Sequence, residues 1–504
     1  MATDLLTETY ADRLDGVLAC YDRLILTGSL YPFCDAQGMS GYLRSQRIRI
    51  FDYPEFAQGL REQLRSNAEA LAQANGLEIE FIRKKNFRKE DRLQAILKER
   101  GSQPGLVHIF SAMEPCTSYQ PWHDKKMGQT YLKFDSGKCV HYYFYFIDEP
   151  LGLCYLRLPT WCPFRLQFYC NGHNWLAAQL RQKGIAFEML DNAFTHIADY
   201  TPANDLAAHF DIEHLHARLD GFARQDCPVA QDLNLSFRWS IMQAEFATDL
   251  VFKHSADLQA FYPALLETLS HAVKPEDIAT FLGRKLHGNF QGESGNRFNR
   301  RILGTRLKHI LGPVSIKMYD KFGLILRIET TVSNVTFFRQ RRTVHHRNGE
   351  EDIRWAPMRK NIYSLTPLQD NLSAANQRYL AFISALRLPV GGSENLNRLT
   401  RTLIENQHSY KGFNFFAEDD ARILRLLLRG EFAACGLGSR DWHTLLPENS
   451  NGQISRLIKR LRVHKLIKKV AHRYRYYLTD LARQVATLAL KLRELQAVPA
   501  LAHT

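Results

Sequence analysis

Apolar positions along this chain recur with two periods, about 3.6 residues in some stretches and about 2 in others, and each period foretells an element. Phe56, Leu60, Leu64 and Leu71 fall at helical spacing between Pro54 and Asn75, and Gly76 closes the run, which predicts a helix. LILTGSL (Leu24–Leu30) predicts a short strand, and Leu77–Arg83 alternates like another. Leu106–Phe110, Val140–Ile147 and Leu153–Leu158 are rich in β-branched and aromatic residues, with the turn sequences DSGK and DEPLG between them, so a sheet region is predicted. A helix then runs to about Gly184, residues 202–226 read as helical, Phe237–Phe252 as a strand and Asp257–Ala272 as a helix.

Leu388–Glu394 (LPVGGSE) has the composition of a linker. Beyond it, Ala421–Leu428, Arg440–Leu446 and Gln453–Leu461 predict three short helices, followed by a hairpin from IKKV and YRYYL with its tip at His472 and Arg473. In the third helix Ile454, Leu457, Ile458 and Leu461 mark one apolar face, and Arg456, Lys459, Arg460 and Arg462 lie off it. Thr479 caps a long last helix carrying Leu488, Leu492 and Leu495 on one side, suited to docking or to pairing with another subunit. This segment resembles the winged helix-turn-helix of MarR-type regulators, which implies a helix in the DNA major groove and a basic wing on the backbone.

A chain of 504 residues with 45% apolar and 23% charged content is long enough for two to four folded domains. The expected division is an N-terminal α/β region at 1–100, an aromatic-rich sheet and helix region at 101–230, a central basic α+β region at 231–388 and the winged helix at 394–504. The fold class expected is α+β, with a mixed or antiparallel sheet in the central domain. No apolar run approaches membrane-spanning length and the N-terminus lacks a secretory pattern, so a cytoplasmic protein with no membrane partner is expected. Nine cysteines without a CxxC pair read as free thiols; Cys116, His123, Cys139 and His141 lack the tight spacing of structural zinc ligands.

Charge changes the picture more. Residues 283–347 hold 14 Lys or Arg against 3 Asp or Glu, residues 456–475 hold 9 against none, and the rest of the chain is net acidic despite an overall +14. Two concentrated cationic blocks in an acidic background point to two contacts with a polyanionic partner, nucleic acid.

Between the blocks lies the candidate chemistry. Gln243, Glu245, Ala247 and Asp249 share one face of the predicted strand Phe237–Phe252, and Arg327 and Glu329 project together from another. Carboxylates in an apolar strand are costly unless they hold a cation, an arginine or water, so Glu245, Asp249, Asp320 and Glu329 are candidate ligands for Mg2+ or Mn2+. Pairing to Arg327 or Lys317 across the sheet is the alternative. Tyr319 beside Asp320 supplies a nucleophile, and a core tyrosine with a satisfied hydroxyl is its alternative.

The order of these pieces resembles trans-acting rolling-circle plasmid replication initiators, which show an acidic RxDxAxD strand, a glycine-serine stretch, RxYxK and then RxE. The matching pieces are QAEFATD (Gln243–Asp249), GTRLKHILGPVS (Gly304–Ser315), KMYDK (Lys317–Lys321) and RIE (Arg327–Glu329), with Gln243 in place of the arginine and Glu245 in place of an aspartate. The resemblance implies Tyr319 as nucleophile with Lys321 and Arg327 beside it, and Glu245, Asp249 and Asp320 on the metal. The whole chain also looks similar to a widespread group of uncharacterised bacterial proteins, which supplies no chemistry.

The nucleic-acid contacts expected are Arg284, Lys285, Arg297, Arg300, Arg301, Arg306 and Lys308 centrally, and Arg456, Lys459, Arg460, Arg462, Lys468, Lys469, Arg473 and Arg475 in the tail. Tyr119, Trp122, Tyr131, Tyr142, Tyr143 and Tyr145, interleaved with Lys125, Lys126, Lys133 and Lys138, suit a single-strand groove, although half of these rings fit the core. His214-Leu215-His216 has the letters of a metal-binding pair, but its helical setting points the two rings apart. The expectation is a DNA-binding protein of mobile-element or replicon type that nicks and rejoins one strand through Tyr319. The competing expectation is a non-catalytic regulator or RNA-binding architectural factor.

Overall fold

The computed structural model describes residues 7–502 except 9, 85, 286–293, 302–303, 347, 388–395, 430–435 and 470–474. The chain divides into two compact units, Met1–Ala385 and Leu386–Thr504. The expected boundaries near 100 and 230 fall inside the first unit, because strands from all three regions join one sheet. The expected linker lies outside the described residues.

The strands are β1 (Leu14–Leu30), β2 (Ile79–Phe81), β3 (Gly105–Asp124), β4 (Gln129–Asp148), β5 (Gly152–Pro159), β6 (Leu166–Asn171), β7 (Phe187–Leu190), β8 (Ala193–Ile197), β9 (Phe237–Phe252), β10 (Ser294–Arg301), β11 (Gly304–Leu311), β12 (Val314–Lys321) and β13 (Ile325–Val332). Eleven of them form a single sheet in the order β10-β11-β12-β13-β9-β1-β6-β5-β4-β3-β2, antiparallel except at β2 and β3. The unit is therefore α+β, as its residue pattern predicts.

β9 begins and ends at the expected residues, whereas β1, β3 and β4 run well past the predicted segments. The added lengths mix in more polar residues and are kept extended by pairing with one long neighbour, β1 with β9 and β3 with β4. The predicted helix at Asp257–Ala272 breaks into Ser255–Gln259 and Tyr262–Ala272, with Pro263 in the first turn of the second, where a proline is tolerated. The stretch 202–226 likewise forms two helices, Tyr200–Ala208 and Ile212–Asp226.

Helices pack on both faces of the sheet, Lys89–Arg100 setting Leu93 against Tyr143 and Tyr145 on one and further helices covering the other. Phe222 of Ile212–Asp226 packs on Phe146 and Phe168 at 4.1 and 5.6 Å between ring centres. On the same face the long helix Leu365–Arg387 meets β9 and β13 through Asn376, which is fully buried. Its amide donates to the Phe246 carbonyl (3.0 Å), the Thr248 hydroxyl (3.1 Å) and the Ile328 carbonyl (3.3 Å), and it accepts from Thr330 (2.6 Å). The opposite face, at β12, β13, β9 and β1, carries the polar residues considered below.

In the second unit, helices Glu418–Leu427, Ser439–Leu445 and Asn451–Val463 come in succession within a few residues of their predicted bounds. A hairpin of β18 (Ile467–Lys469) and β19 (Tyr476–Leu478) follows, and Leu437 bridges Tyr476 to add a third short piece. Leu424, Leu427, Trp442, Ile454, Leu461 and Ala486 form its core. An unpredicted hairpin, β16 (Leu403–Glu405) and β17 (His408–Tyr410), precedes the helices.

Because Asn376 ties one helix to buried groups on two strands, Asn376→Ala should destabilise the first unit by about 2–3 kcal/mol, read from urea unfolding.

Candidate functional site

Register places the candidates. Arg327 pairs with Asp249 across β13 and β9, Lys317 with Glu329 and Tyr319 with Arg327 across β12 and β13, and Thr331 with Glu245. All of these side chains therefore share one face. In β1 a bulge between Tyr21 and Leu24 sets Asp22 and Arg23 opposite the single residue Glu245, turning the Asp22 carboxylate onto the same face.

Gly172 starts the helix Gly172–Gln182 against this bulge; a Cβ there would lie 2.1 Å from the Tyr21 carbonyl, so only glycine allows the approach. That approach brings His173 into the sheet, its Nδ1 3.1 Å from Asp22 and its Nε2 3.0 Å from the Arg327 guanidinium. The turn between β7 and β8 closes the other side with Asn192, whose side chain holds Lys321 and whose carbonyl accepts from Arg327.

Two halves result. In the first, Arg327 is completely buried and grips Asp249 with two bonds of 2.6 Å, while its third nitrogen lies 3.5 Å from Asp22. Burial opposes charge on both carboxylates, yet Arg327 and His173 outweigh it and hold Asp249 at about 2 and Asp22 below the usual range. Burial also opposes the His173 charge, but Cys20 and the two carboxylates raise its pKa well above the ordinary imidazole value.

The second half is where carboxylates gather. Oxygens of Asp22, Glu245 and Glu329 all lie within 4.8 Å of one another. Lys317 bridges Glu245 (3.3 Å) and Glu329, Gln243 donates to Glu245 (2.9 Å), and the Tyr319 hydroxyl donates to Glu329 at 2.7 Å. Desolvation and the neighbouring Glu329 push Glu245 up to about 7, whereas Lys317 holds Glu329 below its ordinary value against burial. Tyr319 is pushed well above 10, first by burial and then by the Glu329 charge. Burial and Arg327 pull Lys321 down to about 8. Arg306 and Lys308 of β11 stand in register beside Tyr319 and Lys317, extending this face with positive charge.

The expected residues thus separate. Glu245, Glu329 and Tyr319 come together; Asp249 and Arg327 adjoin them as an ion pair; Lys321 sits at the Asn192 side. Asp320 does not join them. It alternates to the other face of β12, where burial raises its pKa and Tyr262 is its neighbour. Asp22, His173 and Asn192 are not among the expected site residues, and Lys317 takes the place expected of it as the alternative partner of the carboxylates. A lone aspartate in the apolar run VLACYDRLIL carries the same burial cost that exposes Glu245, and was the one available signal. His173 and Asn192 arrive from loops and a helix start and carry none.

Other candidates are also placed. Arg284 lies 4.2 Å over the Phe337 ring and Lys285 is exposed; the side chains of Arg297, Arg300 and Arg301 on β10 and all of Arg473 lie outside the described residues. Arg456, Lys468 and Lys469 are exposed, and Arg475 donates to the Gly436 carbonyl. Lys459 and Arg462 pair with Glu405 of the β16–β17 hairpin. Arg460, expected on DNA, instead binds Asp420 with two bonds and stacks 3.9 Å over Phe413, because its long stem folds back under the helix. Tyr119, Tyr142, Tyr143 and Tyr145 are buried in the sheet packing, so the aromatic groove reduces to Trp122 and the half-buried Tyr131 opposite it, with Lys133 3.4 Å over the Trp122 ring. His214 is exposed while His216 meets Tyr363, on a helix as expected. Cys139 lies 3.8 Å from His141, while His123 meets Thr130. Among the described residues no helix is long and apolar enough to cross a membrane.

The raised Glu245 has a measurable consequence. A carboxyl whose pKa rises on folding from 4.5 to about 7 stabilises the fold below the lower value and loses that contribution as pH climbs through the upper one. Glu245→Gln should therefore show a shallower fall in unfolding free energy between about pH 5 and pH 8 than the parent chain in urea titrations.

Comparison with known protein families, with curated proteins and with solved structures finds no match to this chain.

Proposed function

We propose that this chain is a nucleic-acid-binding protein that cuts and rejoins one DNA strand through Tyr319, assisted by a divalent cation on Asp22, Glu245 and Glu329. The observation that carries the reading is the meeting of three carboxylates within 4.8 Å of one another and a tyrosine hydroxyl already bonded to one of them. In this reaction the Tyr319 oxygen attacks the phosphorus, its proton passes to Glu329, and the bond to the leaving deoxyribose oxygen breaks. Lys321, protonated at neutral pH yet drawn down to about 8, is suited to give that oxygen its proton. Magnesium or manganese matches an all-oxygen donor set and would neutralise charge on the phosphoryl oxygens. Asp249 and Arg327 are assigned to holding the strands in place, a revision of the ligand role expected for Asp249 and the catalytic role expected for Arg327.

We assign duplex binding to the second unit as a winged helix. Its three helices, its hairpin and the Leu437–Tyr476 bridge support that assignment, with Arg456 on the outer face of the third helix. Leu488, Leu492 and Leu495 are exposed along the last helix, which fits pairing with another subunit.

One observation favours a second reading. Lys317 already bridges Glu245 and Glu329, and such a bridge neutralises them without a metal. The protein would then bind nucleic acid without cutting it.

Labelled single-stranded and hairpin DNA incubated with Mn2+ should give a covalent protein–DNA adduct, abolished in Tyr319→Phe and reduced at least about a hundredfold in Glu245→Gln. An adduct that survives Tyr319→Phe refutes the nucleophile; no adduct, together with a melting temperature indifferent to Mn2+, leaves the binding-only reading. In the second unit, Arg456→Ala should weaken duplex binding with unchanged stability. Arg460→Ala should instead lower stability by about 3 kcal/mol by stranding Asp420, as thermal and urea unfolding would report.

A further inference from the structure

After β13 the chain makes a two-stranded ribbon, β14 (Arg339–His345) against β15 (Glu351–Pro357), outside the large sheet. Register sets Arg339 opposite Pro357, Arg341 opposite Trp355 and Thr343 opposite Ile353, so Arg339, Arg341, Ile353 and Trp355 share one face. That face is turned outward: Trp355 is 65% and Ile353 64% exposed, whereas Ala356, on the other face, is 4% exposed.

Its charge is as unusual as its exposed indole. The ribbon's acids are engaged locally, Glu351 with His345 and Asp352 with His346 and Arg354. Arg339, Arg342 and Arg359 bond only to backbone carbonyls, and among the described residues neither they nor Arg341 has a carboxylate partner. On the Trp355 face Arg339 and Arg341, without counter-charges beside an open indole and an isoleucine, complement a ligand that is both anionic and flat-faced.

The ribbon is also rooted near the carboxylate centre. Its outgoing strand leads to Lys360, whose carbonyl accepts from Ile241 of β9 at 2.6 Å, and Asn361 bridges Ser240. Ile241 stands four residues from Glu245, a rise of about 13 Å along the strand.

We propose that this ribbon is a holding arm for single-stranded DNA: Trp355 stacks on an unpaired base and Arg339 and Arg341 take the adjoining phosphates. The proposal rests on the nucleic-acid reading above and names the form of substrate that the centre would receive. A single strand is favoured over a duplex because the ring and Ile353 need an unstacked base face, and the grooves of a duplex offer base edges.

The test uses the full chain in EDTA with fluorescein-labelled oligodeoxythymidine, and a labelled duplex hairpin as the second arm, read by anisotropy. Trp355→Ala should weaken single-strand binding about tenfold and leave duplex affinity within about twofold, and Trp355→Phe should restore most of the loss. Arg341→Ala should lower the salt slope of single-strand binding by about one. Single-strand affinity unchanged in Trp355→Ala overturns the proposal, and so does an equal loss for both DNA forms. Binding in EDTA involves no strand cutting, so failure here leaves the adduct experiment standing, and failure of that experiment leaves this one.

Discussion

The interior of the large sheet is organised by one buried cation. Arg327 has no solvent contact, and a guanidinium without partners in such a place would cost several kcal/mol, about 3–5 if a single partner were removed. It is tolerable because Asp249 meets it in a two-bond fork, the Asn192 carbonyl accepts from it and Asp22 lies 3.5 Å from its third nitrogen. These partners come from β9, β1 and a turn, so satisfying one charge fixes three separate pieces of chain relative to β13.

That fixation divides the acids by role. Asp249 is committed to Arg327, while Glu245 and Glu329 are left with a single lysine between them and with Asp22 at their edge. Two carboxylates sharing one ammonium cannot both be comfortable in a desolvated setting, and the strain emerges as the upward shift of Glu245. The centre is thus held rigidly by its neighbour and remains under-neutralised itself, the condition in which a further cation or a phosphate with its counter-ion gains most.

Much of this was legible in the residues. The alternation through Phe237–Phe252 gives β9 its full extent and puts Glu245 and Asp249 on one face, and the spacing of Arg327 and Glu329 does the same on β13. Adjacency to Tyr319 in sequence does not bring Asp320 to the centre, because a strand sends consecutive side chains to opposite faces. Helical spacing puts Arg460 off the apolar face, yet a cation there can still fold back to a buried carboxylate, as Arg460 does to Asp420. Asp22 stood within the chain's first strand, but nothing local announces a bulge or names its partners.

By itself the sequence determined what depends on periodicity and on composition: the helices of the second unit, the central strands, which residues share a face, and the two cationic blocks. Tertiary structure alone decided which faces meet. It joined the first 230 residues to the central strands in one sheet, carried Asp22 and His173 into the centre from β1 and a helix start, and left Asp320 out. Strand pairing across gaps of 70 to more than 200 residues is set by the fit of whole surfaces, such as Asp22 against Glu245 and His173 against Arg327, and no single segment holds that information.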